Sequence, residues 1–95
     1  MEEFKVAYLR EQGQDMVIVP VSNSFGRKSR SEQADIVDWL QGCASSAGLA
    51  GVVVPVWDAG GGRMGFLAPR PWQTFFKSLN LGIVARNINK TLRCS

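Results

Sequence analysis

The sequence predicts an α+β domain of order ββαββα, a four-stranded, mostly antiparallel sheet with two helices packed on one face. Three observations lead there. Two pairs of apolar runs, FKVAYL with MVIVPV and VVVPVW with RMGFLA, are each split by a glycine-bearing turn, so each pair reads as a hairpin. Between the pairs lies a segment with apolar residues at helical spacing, and a second such segment follows the second pair. Each hairpin has one apolar face to bury, and one helix per hairpin covers it.

The first hairpin spans residues 4–9 and 16–21, with REQGQD as its turn. A polar, basic loop follows, SNSFGRKSR at 22–30, in which Ser29 and Glu32 have the spacing of a capping box that satisfies free amides at a helix start. Helix one then runs over about 30–47. Its stripe is Ile36, Leu40, Cys43 and Ala47, and Gly48 stands where a left-handed C-terminal cap belongs.

The second hairpin joins residues 52–57 to 63–68 through Gly60, Gly61 and Gly62. A phosphate-binding loop needs such glycines to lead straight into a helix carrying Lys and then Ser or Thr. Here Arg63 leads into a strand, so the glycines are read as a turn. Pro71 suits a first helical position, and Trp72, Phe75, Phe76 and Leu79 follow at i, i+3, i+4 and i+7. They read as core. Val84, Ile88 and Leu92 continue at intervals of four, which extends the helix, kinked or in two pieces, to about Arg93.

With 95 residues, 45% of them hydrophobic and 20% charged, the chain is the size of one compact domain, residues 1–95, with ordinary globular composition. No apolar run approaches the roughly 20 residues that span a bilayer. The start, MEEFK, is acidic where a signal peptide is basic, so a cytoplasmic location is expected. Cys43 and Cys94 are the only cysteines and histidine is absent, so neither a zinc site nor a His-dependent catalytic pair can be assembled. No cofactor, metal or catalytic residue is assigned. The two cysteines are expected as reduced thiols, Cys43 packed on a helix face, with a disulfide between them the open alternative.

Charge is segregated along the chain. From residue 58 onward six basic residues face Asp58 alone, a net of +5, whereas the first 57 residues carry −2. Arg86, Lys90 and Arg93 fall at i, i+4 and i+7, a basic stripe on one helix face, and Arg27, Lys28, Arg30 and Arg63 add positive charge from loops. Together with nearby aromatic residues they predict a non-catalytic module binding an anionic partner, nucleic acid first. The alternative is a protein–protein adaptor, a homodimer formed through a sheet edge or a helix face. Trp39 at the margin of helix one and the carboxylates Asp35 and Asp38 beside it would then form the interface. In size and in lack of motifs the chain is similar to short orphan proteins of bacterial mobile elements, a resemblance that assigns no role to any residue.

Overall fold

MVIVPV and VVVPVW are apolar at successive positions rather than alternate ones, as strands covered on both faces are. A computed structural model, describing residues 2–94, places them at the centre of a mixed five-stranded sheet. The strands are β1 (Glu2–Glu11), β2 (Gln14–Pro20), β3 (Val52–Gly60), β4 (Arg63–Phe66) and β5 (Lys90–Cys94), in the order β4-β3-β2-β1-β5. The α+β class holds, while the four-stranded antiparallel sheet is corrected. β2 and β3 pair in parallel, Met16 opposite Val52 through Pro20 opposite Val56, and every other pairing is antiparallel.

A parallel pair needs a crossover, which α1 (Arg30–Ser46) supplies. Its start is the expected capping box. The Glu32 amide donates to Ser29 Oγ at 3.1 Å and the Ser29 amide donates to Glu32 Oε1 at 3.2 Å. Its end is the expected glycine, Gly48 at φ +77°, with the Leu49 amide reaching back to the Ala44 carbonyl at 2.9 Å.

Helices lie on both faces of the sheet, not on one. Leu40 and Ala44 of α1 pack with Val17, Val19 and Val53. On the opposite face Phe76 of α2 (Gln73–Lys77) and Val84 of α3 (Leu81–Arg86) pack with Met16, Ile18, Val54 and Val56. Because strand side chains alternate between faces, each valine run feeds two cores at once, and that double demand accounts for its uninterrupted apolarity. Pro55, buried in β3, costs no sheet hydrogen bond toward β2. Its carbonyl accepts from the Leu67 amide at 3.2 Å, so its missing N–H faces the same side, beyond the last residue of β4.

The expected helix up to Arg93 ends at Arg86 instead. Asn89 turns the chain back along β1: its Oδ1 accepts from the Tyr8 amide at 2.8 Å and its Nδ2 donates to the Tyr8 carbonyl at 3.0 Å, standing in for a strand neighbour. β5 then pairs with Glu2–Val6, the half of β1 that β2 leaves free, since β2 pairs with Ala7–Glu11. Leu92 and Cys94 turn inward to α1 and are buried. Cys94 meets Cys43 there in a disulfide, Cα atoms 5.4 Å apart, which corrects the expectation of two free thiols. Among the described residues no helix is long and apolar enough to cross a membrane.

Candidate ligand-binding cleft

The chain leaves both strands of the parallel pair at their carboxyl ends, which lie at the same end of the sheet, and in open sheets the crevice beyond those ends is the usual ligand position. Here it lies between the segment after β2 and the hairpin after β3. The first wall is a single 3-10 turn, Asn23–Arg27. Phe25 anchors it in the core, Gln33 Nε2 of α1 donates to the Phe25 carbonyl at 2.9 Å, and the Val21 amide donates to the Val56 carbonyl at 2.8 Å. The turn therefore projects Asn23 and Arg27 from a fixed base.

The second wall is the glycine turn. Gly60, Gly61 and Gly62 have φ of +94°, +60° and +77°, a backbone that side chains rarely adopt. Gly61 and Gly62 form the two-residue reversal and the register shifts between Asp58 and Gly60, a bulge of the kind that bends and twists its strand. Asp58 Oδ1 accepts from the Gly60 amide at 2.8 Å and holds the bulge in shape. The reading of these glycines as a turn is the observed one, and Arg63 begins β4 as expected.

Trp57 forms the floor. Its ring packs at 5.0 Å between centroids from Phe25, lies over its cross-strand partner Gly65, and presses against Gly26. A Cβ at either glycine would collide with the indole. Between the walls is an open cleft of about 380 Å³ lined by Asn23, Gly26, Arg27, Trp57, Asp58 and Gly60, among others. On the other flank of the same hairpin Arg63 and Lys77 border a depression of about 310 Å³.

The expected basic residues divide into two groups. Arg27, Lys28, Arg30 and Arg63 are exposed around this end of the sheet, and among the described residues none of them makes a salt bridge. Arg86, Lys90 and Arg93 form no stripe. Arg86 closes α3, whereas Lys90 and Arg93 lie on β5, where neighbours alternate between faces, and Arg93 Nε pairs with Glu3 Oε2 at 2.8 Å. Asp35, Asp38 and Trp39 are on the exposed side of α1. Glu32 belongs to the cap: hydrogen bonds from the Ser29 backbone and then its hydroxyl hold its carboxyl below the usual range. Among the described residues no three acidic or cysteine side chains gather as a metal site.

Sequence reasoning passed over Trp57 as a strand end and Asp58 as a turn residue. The overlooked signal was two continuous apolar runs separated by one helix, since a parallel pair puts its crevice where those runs end. The chain matches no known family model, no curated protein and no solved structure.

Proposed function

We propose that the protein is a non-catalytic binding module whose cleft takes an anionic ligand carrying a planar ring, with single-stranded nucleic acid as the ligand class. The supporting observation is the Trp57 indole on the floor of a cleft lined by Arg27, with exposed Lys28 and Arg30 following in the chain and Arg63 on the other flank of the hairpin, none of them in a salt bridge among the described residues. A ring offers a base a stacking surface, unpaired guanidinium and ammonium groups attract phosphates, and both are insensitive to base identity. Asn23 and the free Asp58 oxygen add hydrogen-bonding groups for a base edge.

The test is anisotropy of a labelled oligothymidylate and of the matching duplex, titrated at about 50 and about 200 mM salt. The single strand binds more tightly, its affinity falls steeply with salt, and Arg27→Ala and Arg63→Ala each weaken it several-fold. Arg86→Ala on α3 leaves it unchanged. Absence of binding at the lower salt, or an equal loss in all three variants, overturns the reading.

A further inference from the structure

The two faces of the sheet are covered unequally. α1 lays 17 residues along one face, whereas α2 and α3, of 5 and 6 residues, share the other. Helices that short leave part of the sheet without a roof, and the gap is a cavity of about 190 Å³ that shares no residue with the cleft at Trp57. Its walls are Leu9 and Ile18 from the sheet, Phe75 and Leu79 from α2 and the turn after it, and Ile83 and Val84 from α3. Phe75 is fixed in place, its ring edge-to-face with Trp72 at 5.9 Å and with Phe76 at 5.3 Å between centroids. A cavity of about 150 Å³ lined by such residues takes up benzene, so there is room here for one ring with a short tail.

Two polar residues complete the lining, and both turn acceptors to it. Glu11, the last residue of β1, is half-buried and makes no salt bridge among the described residues. Its neighbour Arg10 belongs to the other face of the strand, where it meets Asp15 at 3.8 Å. Asn87 closes α3. Its Nδ2 donates to the Ile83 carbonyl at 2.8 Å, which leaves its Oδ1 as the end of the amide without a donor among the described residues. The lining holds no lysine or arginine.

From this combination we propose that the cavity binds a small primary amine as its ammonium ion, with a compact apolar body of the size of a phenethyl group. The ring is buried among the apolar side chains, and the ammonium donates to the Glu11 carboxylate and to Asn87 Oδ1. Apolar enclosure with a few convergent polar groups is how small-molecule sites are built, and an ionised partner makes a hydrogen bond roughly twice as strong. A carboxylate ligand meets repulsion from Glu11 and finds no cation. A neutral alcohol fills the same space and forgoes the charge. The site and the nucleic-acid cleft are independent of each other.

The test is amide NMR of the isotope-labelled full chain near neutral pH, titrated with phenethylamine, phenethyl alcohol and hydrocinnamate over about 0.05 to about 10 mM, where weak small ligands saturate. The amine moves the amides of Leu9, Glu11, Val84 and Asn87 to saturation. The alcohol moves the same amides at about five-fold lower affinity or less, and hydrocinnamate leaves them in place. Glu11→Gln lowers the amine affinity about five- to ten-fold and leaves that of the alcohol unchanged, a split that a loosened fold does not produce. No saturable shift with the amine, binding of hydrocinnamate as tight as that of the amine, or a Glu11→Gln variant with wild-type amine affinity overturns the proposal. Should that variant fail to fold, the wild type decides: the amine binding most tightly of the three supports the proposal, and any other order overturns it.

Discussion

Trp57 owes its position to two residues that have no side chain. Gly26 and Gly65 leave the volume that the indole fills, so the ring ties the 3-10 turn to the edge strand and becomes the floor of the cleft. Gly65→Ala forces the ring to move and is expected to destabilise the fold by about 1–3 kcal/mol, as overpacking does, with a shift in tryptophan emission that urea titration and fluorescence report together. The cap of α1 gives a second test at this scale. Ser29→Ala removes a capping oxygen and is expected to cost about 1 kcal/mol in denaturant unfolding. Glu32 has a folded-state pKa below its ordinary value of 4.5, so its contribution is present above that value and is lost as the pH falls through the folded pKa. A carboxyl-carbon NMR titration places the Glu32 midpoint below 4.5 in the wild type, and in Ser29→Ala the midpoint moves up toward it.

Elements differ in how plainly the sequence announces them. The β3–β4 turn was legible because a run of three glycines has few other uses, and its two central residues both need φ above zero. Gly61→Asn is therefore expected to be tolerated, whereas Gly61→Val costs about 1–2 kcal/mol or more in thermal or urea unfolding, the penalty of a branched residue in the left-handed region. The capping box and Gly48 were legible for the same reason, since each is a local contact written within four residues. β5 was not. Val84, Ile88 and Leu92 recur every four residues and imitate a helix, while the period-two pattern of KTLRC covers only five residues. What decides between them lies more than 80 residues away, in the unpaired half of β1 and in the Tyr8 backbone that Asn89 grips. The basic stripe failed with the helix that carried it, and the cleft stayed hidden because the parallel pairing of β2 with β3 is a tertiary choice. Asn89→Ala, which leaves the Tyr8 amide and carbonyl without their side-chain partner, is expected to cost about 1–3 kcal/mol and to raise amide exchange first in β5.

At the scale of the whole molecule, one central sheet divides two cores, and the disulfide closes the larger part of the chain into a loop. The 51-residue separation of Cys43 and Cys94 gives, on the chain-entropy relation, about 4 kcal/mol of stabilisation. For a chain of this size that corresponds to a Tm lower by roughly 20 °C in reductant or in the double alanine variant, read by calorimetry. Such a bond is at home in oxidising surroundings and rare in the reducing cytosol. The sharing of β1 between two partners has a consequence for how the chain comes together. Residues 7–11 find β2 within a tight turn, but residues 2–6 wait for a strand more than 80 positions downstream, a closure that topology makes slow. Until then Phe4 and Val6 sit on an open template to which any other extended chain can add. Glu2, Glu3 and Lys5 are interleaved with them, and charges in that arrangement act as gatekeepers against aggregation, guarding the strand during the interval in which it has no partner.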